Sequence, residues 1–184
     1  MTEISLNILD VAENSLKAGA SEVKIICSAN YSNNLLTVII EDNGCGMNAE
    51  QLANVTDPFY TTRTTRKVGL GVPFFKEAAI SAGGDFKITS EVGKGTVVRA
   101  DFEIDNIDRM PLGDIASTMH TLITMHTETD FWFKYEIDEE QFILDTKEMR
   151  EILGDIPFNT PDVSNYIRDL LKENIASLNG RNSL

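Results

Sequence analysis

A carboxylate and a carboxamide share one predicted helix face near the start of the chain. Asp10 and Asn14 are four residues apart, about one turn of a helix. A second carboxylate, Asp42, follows a β-branched run and enters a turn in which Gly44 and Gly46 let the backbone approach a flat ligand closely. An amide oxygen can hold a metal ion, and a carboxylate can accept hydrogen bonds from a base edge.

A segment rich in Thr, Arg and Gly, residues 56–72, complements these side chains. It has no clear period and is predicted to be a long loop, which in a compact domain is more often functional than idle. It ends in Gly69-Leu70-Gly71 ahead of a helix opened by Pro73. Free N–H groups and the positive dipole at a helix N-terminus favour phosphate. With the carboxylates and the carboxamide, this segment predicts a nucleotide site.

None of these features is specific alone. A Gly-x-Gly before a helix is common, Asp-Asn-Gly is a frequent turn in which Asp bonds only local backbone, and polar helix faces are usually solvated. The prediction depends on the order of four motifs within residues 9–96.

Hydrophobic spacing and turn signals predict the elements that position these residues. Before residue 105, they predict a helix over 4–18, strands over 22–28 and 35–41, a short capped helix after Asn48, a helix from Pro73 to Gly83-Gly84, and strands over 86–91 and 96–104. After it, they predict helices over 112–125, 146–153 and 161–178, with strands over 131–137 and 141–144. The class is α+β. The stripe of Phe131, Phe133 and Tyr135 is expected in the core, and Trp132 on the opposite face is an interface candidate.

Charge and composition exclude several classes of protein. The 184 residues carry a net charge of −13, which argues against coating nucleic acid because that function needs a basic face. No apolar stretch approaches the roughly 20 residues of a membrane helix. Two cysteines favour a reducing, cytoplasmic setting. The net charge is −4 over residues 1–104 and −9 over residues 105–184, so a domain boundary is placed between them.

The motifs and their order resemble the GHKL, or Bergerat-fold, superfamily of gyrase, large heat-shock chaperones, sensor histidine kinases and MutL-type ATPases. Residues 10–20 are similar to its Asn box, 41–47 to its first glycine box, 57–63 to the histidine-kinase phenylalanine box, and 69–72 and 93–96 to later glycine boxes. The resemblance implies a two-layer α/β sandwich, a mixed sheet covered on one face by helices. It would be a histidine-kinase-like ATP-binding domain over residues 1–104, with a small α+β extension of unknown role over 105–184.

The resemblance also implies ligands and roles. ATP and Mg²⁺ would be the cofactors: Asn14 would hold the metal ion, Asp42 would accept a hydrogen bond from the adenine amino group, and Thr96 would assist through water. Further cofactor contacts are implied for Gly44, Gly46, Met47, Arg63, Lys67, Gly69, Leu70 and Gly71. Residues 56–71 would form a lid over the bound ATP. Its basic residues Arg63, Arg66 and Lys67 could add positive charge near the phosphates, and they are explained equally well as solvated side chains of a mobile lid.

Asp10 stands where gyrase, the chaperones and MutL place a catalytic Glu, four residues before the metal-binding Asn. It is shorter by one methylene, so it acts as a general base only if it lies within hydrogen-bond reach. Glu13 matches a non-catalytic position of MutL. Because only a few residues precede the Asn box, a phosphoacceptor helix ahead of it is not expected, and His120 is expected to be structural or exposed. The Gly-Phe-Arg-Gly-Glu-Ala signature of MutL is missing too, so mismatch repair is disfavoured.

Three functions are compatible with these sequence features. The leading expectation is a stand-alone, cytoplasmic ATP-binding regulatory protein that transfers phosphate to a protein partner or binds that partner in an ATP-gated way. The second is a slow ATPase that uses Asp10 on water, and the third is a non-catalytic nucleotide sensor. All three involve ATP or ADP, no nucleic acid and no membrane, and a tail-mediated homodimer is compatible with each.

Overall fold

The computed structural model describes residues 3–57, 70–180 and 184. Within them the chain forms six strands and six helices, which confirms the predicted α+β class. The strands are β1 (Glu22–Asn30), β2 (Leu35–Asp42), β3 (Phe86–Glu91), β4 (Gly95–Glu103), β5 (Asp130–Ile137) and β6 (Glu140–Asp145). The helices are α1 (Ile4–Lys17), α2 (Ala49–Asn54), α3 (Gly71–Ser81), α4 (Ile115–Met125), α5 (Thr146–Leu153) and α6 (Pro161–Asn179).

The six strands form one mixed sheet in the order β3-β4-β2-β1-β5-β6. Neighbouring strands are antiparallel except β1 and β5, which run parallel with Val23 opposite Phe131 and Ala29 opposite Ile137. The sheet therefore continues across the boundary placed after residue 104. The division into two domains stays a prediction.

Helices cover one face of this sheet. Strand residues of one alternation are buried, such as Val23 and Ile25 in β1 and Phe133 in β5, whereas the opposite alternation is half-exposed or exposed. Helices α3, α1, α4 and α6 contact one another in that order. This arrangement confirms the predicted mixed sheet with helices on one face.

Local sequence explains where the first two helices form. α1 buries Ile4, Ile8 and Val11, which recur at helical spacing. α2 begins with a capping box: the Asn48 side chain accepts from the Gln51 amide at 2.9 Å, and the Gln51 side chain accepts from the Asn48 amide at 2.9 Å. This cap is the one that the sequence predicted.

Two predicted helix starts are wrong by a few residues. α3 begins at Gly71 rather than at Pro73. Pro73 is the third helical residue, and the helix tolerates it there because the first N–H groups of a helix have no internal partner. α4 begins at Ile115 rather than at Leu112, because Asp114 caps it by accepting from the Ser117 amide at 2.8 Å.

The aromatic stripe of β5 lies in the core as predicted. Phe131, Phe133 and Tyr135 have no exposed surface, and Trp132 on the opposite alternation is half-buried. No helix among the described residues has the length and apolar character to cross a membrane. Residues 58–69, the larger part of the predicted loop, lie outside the described residues.

Candidate functional site

Three polar side chains form one row across the otherwise apolar, helix-covered face of the sheet. Asp42 of β2 lies opposite Thr96 of β4, and Thr96 lies opposite Ser90 of β3. Two residues further along the strands, the same face carries buried Ile40 and Val98. The row is thus the polar end of a hydrophobic layer. Asp42 and Thr96, which the sequence predicted to act together, are brought together.

Two donors hold the Asp42 carboxylate. The Ser15 hydroxyl of α1 donates to Oδ2 at 2.6 Å, and the Gly44 amide donates to Oδ1 at 2.9 Å. Ser15 and Asp42 are 4% and 8% exposed. Each carboxylate oxygen keeps a lone pair after accepting one bond, so Asp42 can still accept from a ligand.

The glycine loop after Asp42 is packed against protein rather than left open. A Cβ on Gly46, whose φ is +67°, would lie 2.0 Å from the Glu91 carbonyl oxygen. A Cβ on Gly44 would lie 3.0 Å from the Ala18 Cβ. These glycines were predicted to let the backbone approach a ligand. The close approach that the structure describes is between the loop, α1 and the β3–β4 turn.

A second polar group lies where α1 meets the start of α3. Asp10 and Asn14 are exposed on α1, and a Cβ on Gly71 would lie 2.9 Å from the Asp10 Cβ and 3.7 Å from the Asn14 Nδ2. Among the described residues, neither side chain forms a hydrogen bond or an ion pair. Both are therefore available to a ligand at the N-terminus of α3.

The Asp10 carboxyl is perturbed by its surroundings. Partial burial raises its pKa above the ordinary value, the nearby Lys17 charge opposes this, and the Glu13 charge raises the pKa further. A raised pKa is typical of carboxyl groups that take up protons, although ion pairs without any catalytic role also perturb pKa values.

The N-terminus of α3 has no side-chain cap. Leu70 occupies the N-cap position without such a bond, and Pro73 has no amide to offer. Because the first amides of a helix lack internal partners, those of Gly71 and Val72, which bond none of the described residues, can donate to an anion. Gly69 and the basic residues Arg63, Arg66 and Lys67, predicted to contribute here, lie outside the described residues.

α1 connects the two polar groups. Asn14 faces the start of α3, while the next residue, Ser15, points to Asp42. A helix turns by about 100° per residue, so adjacent positions serve different faces. One helix therefore fixes the distance between the polar row and the N-terminus of α3.

Sequence reasoning missed two residues of the site. Ser15 continues the buried spacing of Ile8 and Val11, so a serine there signalled a polar partner inside the fold. Ser90 stands at the same alternation as Ile88 and lies six residues before Thr96 across a tight turn, which pairs the two positions.

The Met47 contact is through its backbone. Its amide donates to the Ser90 Oγ at 2.8 Å, so this N–H is committed within the protein. A depression of about 280 Å³ lies at the same end of the sheet, and its lining includes Asp42, Ser90 and Thr96 of the polar row as well as Glu41, Thr89 and Val97 of the opposite alternation.

The two histidines make contacts away from the polar row. His126, at the end of α4, lies 2.8 Å from Glu13 through its Nε2, and His120 lies 2.9 Å from the Ser164 Oγ. The first contact ties α4 to α1, and the second ties α4 to α6. His120 therefore has a position in the packing of these helices.

The fold and the matching family model define a nucleotide-binding domain of the GHKL class. The chain belongs to the family of histidine kinase-, DNA gyrase B- and HSP90-like ATPases, whose model matches residues 2–106, more than half of its length. This confirms the superfamily to which the motifs pointed.

Relatives and solved structures agree with this assignment. Over 101 residues the chain is 36% identical to sensor protein SrrB of Staphylococcus aureus (strain NCTC 8325 / PS 47), a match that covers 52% of this chain and 17% of SrrB. In fold it is similar to the N-terminal domain of a DNA repair protein, with a TM-score of 0.58, 14% identity and coverage of 84% and 58% of the two chains. The Aquifex aeolicus MutL ATPase domain complexed with ADP gives a TM-score of 0.50 at 16% identity, with coverage of 83% of this chain and 69% of that ATPase-domain chain. The likeness in fold thus extends beyond residue 106.

Proposed function

We propose that this chain is an ATP-binding regulatory protein that acts by Mg²⁺-ATP-dependent phosphotransfer to a protein partner, or by ATP-gated binding of that partner. One observation carries the proposal: consecutive residues of α1 serve two parts of one site. Asn14 faces the uncapped start of α3, and Ser15 holds Asp42.

The residues fit ATP and Mg²⁺ by the chemistry of their donor sets. Asp42 and Thr96 offer hydrogen-bond acceptors to a base edge, and the free amides of α3 offer donors to phosphate. Asn14 offers one oxygen, which suits Mg²⁺ because that ion keeps several waters and completes its shell with phosphate oxygens. Among the described residues, no group of three or more His, Cys, Asp or Glu side chains could hold a metal ion.

Phosphoryl transfer asks the protein mainly to position its reactants. Bound Mg²⁺ would supply charge neutralisation on the phosphates. Asp42, braced by Ser15, would fix the base, and the start of α3 would orient the phosphate chain. The acceptor hydroxyl or imidazole would come from the partner.

A slow ATPase is the second candidate, and the state of Asp10 favours it. This carboxyl forms no hydrogen bond or ion pair with any described residue, and its raised pKa favours the uptake of a proton from a water molecule. A third candidate is a nucleotide sensor in which ATP and ADP favour two conformations with different partner affinities. The match to SrrB covers 17% of that protein, so the partner and the reaction of this chain are proposals.

Nucleotide binding is tested first with a matched pair of variants on β2. Asp42→Asn is expected to weaken ATP binding about 10- to 100-fold by titration calorimetry, because a hydrogen bond to a charged group contributes about 1.5–3 kcal/mol. Glu41→Gln changes the next residue, on the uncovered face, and is expected to bind ATP as the wild type does. Equal affinities for Asp42→Asn and wild type would remove the site assignment.

The reaction is tested with γ-labelled ATP, Mg²⁺ and cell extract. A labelled partner protein supports phosphotransfer, and free phosphate released without extract supports the ATPase. If turnover is lost and binding retained in Asp10→Asn, the enzyme candidates stand. If neither label transfer nor phosphate release occurs while the protein binds ATP, the nucleotide sensor remains.

A further inference from the structure

The Ser90 hydroxyl lies among three polar atoms at the end of the row. The Met47 amide nitrogen is 2.8 Å away, the Gly95 carbonyl oxygen 2.9 Å and the Thr96 Oγ1 2.9 Å. Nothing in the motif pattern gave this residue a role. Its partners belong to the first glycine loop, the β3–β4 turn and the candidate base contact.

Counting protons fixes the direction of each bond. A serine hydroxyl can donate one hydrogen bond and accept two. An amide N–H is only a donor and a carbonyl oxygen only an acceptor, so Ser90 accepts from Met47 and donates to Gly95. Its single proton is then used, and the bond with Thr96 requires that Thr96 donate to Ser90. The Thr96 proton therefore points away from the ligand side.

The polar end of the site consequently presents lone pairs only. Thr96 has given its proton to Ser90, and the Asp42 carboxylate has no proton to give. A water molecule bridging these two acceptors would donate one proton to each and would also offer its lone pairs to the ligand. A base edge that carries an amino group fits this arrangement, whereas a carbonyl oxygen there would meet lone pairs.

We propose that Ser90 is a specificity-determining positioning residue, which makes the site select a 6-amino purine over a 6-oxo purine by fixing the Thr96 hydroxyl as an acceptor. The inference rests on the proposed function, since it concerns the base of the bound nucleotide. Ser90 acts through Thr96 and does not itself contact the base.

The test compares the dissociation constants of ATP and inosine triphosphate, which differ at the 6-position, by titration calorimetry. In Ser90→Ala the Thr96 hydroxyl can rotate and donate, so the preference for ATP over inosine triphosphate is expected to fall about three- to tenfold, the range of one neutral hydrogen bond. Ser90→Thr keeps the hydroxyl and is expected to keep the preference. Thr96→Ser is the matched control on β4.

A purely structural role for Ser90 gives a different result. If Ser90→Ala weakens the binding of ATP and of inosine triphosphate by the same factor, the ratio of their dissociation constants is unchanged. That result would overturn the inference. In a Thr96→Val background, Ser90→Ala is expected to leave the ratio unchanged, because its effect passes through Thr96. A further fall of the ratio in that background also overturns it.

Failure of the proposed function is distinguishable from failure of this inference. A wild-type chain that binds neither nucleotide contradicts the function itself. If Ser90→Ala does not fold, as judged by its thermal melting curve, Thr96→Val alone carries the test: the inference requires a reduced preference there too, and an unchanged preference refutes it.

Discussion

Replacing Ser15 by Ala tests how the fold maintains its buried carboxylate. The change removes the donor that lies 2.6 Å from the Asp42 Oδ2, leaving the Gly44 amide as the other donor in the fold. Ser15 also lies 3.4 Å from the Val11 carbonyl, a contact too long to contribute much. The expected effect therefore falls almost entirely on Asp42.

The magnitude follows from the burial of both partners. Ser15 is 4% exposed and Asp42 is 8% exposed, so water does not readily replace the lost bond. A hydrogen bond to a charged group contributes about 1.5–3 kcal/mol to the free energy of unfolding. In a chain of this size, that corresponds to a fall in Tm of about 3–12 °C.

ATP affinity is also expected to fall, because the carboxylate must lose more side-chain freedom on binding. Immobilising one side chain costs about 0.5–1.5 kcal/mol, which is a two- to tenfold loss of affinity. Stability is measured by urea unfolding and affinity by titration calorimetry. Ser5→Ala is the control, since Ser5 is equally buried on α1 but bonds Glu3 at 3.2 Å instead of the site.

A double-mutant cycle decides whether the reasoning is right. Ser15→Ala and Asp42→Ala are expected to be strongly non-additive in the free energy of unfolding, because each removes the same bond. Additive effects, or a Tm for Ser15→Ala within a degree of that of Ser5→Ala, would refute the assigned role of the bond.

Three further predictions concern other parts of the protein. Asp10→Asn is expected to raise the free energy of unfolding at pH 7, and this gain is expected to disappear as the pH falls below the ordinary carboxyl pKa. Because the pKa of Asp10 is raised in the folded state, the folded wild type binds the proton more tightly than the unfolded chain and loses stability as the pH rises through the folded-state pKa. Urea unfolding at several pH values measures this effect. Gly71→Ala is expected to lower Tm by forcing α1 and α3 apart, because its Cβ would lie 2.9 Å from the Asp10 Cβ. A thiol reagent is expected to label exposed Cys45 in the folded protein but Cys27 only after denaturation, since burial raises the pKa of the Cys27 thiol to about 12.

Each of these predictions has its own contradicting outcome. If the stability gain of Asp10→Asn persists at low pH, the gain does not come from the titration of the Asp10 carboxyl. Gly180→Ala, at an ordinary φ of −58° with its nearest contact at 3.4 Å, is the control for Gly71→Ala and is expected to leave Tm nearly unchanged. Mass spectrometry identifies the labelled cysteine, and native-state labelling of Cys27 at the rate of Cys45 would contradict its burial.

Features encoded by neighbouring residues were predicted from the sequence. The period of α1, the capping box at Asn48 and the alternation of Phe131, Phe133 and Tyr135 each depend on residues a few positions apart. The pairing of Asp42 with Thr96 came from motif order, and the register of β2 and β4 places these two residues opposite each other.

Features that depend on distant segments were not predicted. The parallel pairing of β1 with β5 joins residues more than a hundred positions apart, and no local signal specifies it. Ser15 and Ser90 were missed for a related reason: a small polar residue on a buried face has a role only through the partner that the fold brings to it. The contact of His126 with Glu13 likewise needs α4 to pack beside α1.

The parallel pairing of β5 with β1 also removes β1 from the edge of the sheet. Without residues 130–145, β1 would end the sheet with a nine-residue row of unpaired amides and carbonyls, beside the buried side chains of Val23 and Ile25. Such an exposed edge is a template for intermolecular strand addition. The short strand β6, with Gln141 and exposed Ile143, takes the outer position instead. Residues 105–184 therefore cover this edge of the sheet, and we expect a fragment cut after residue 104 to be prone to aggregate.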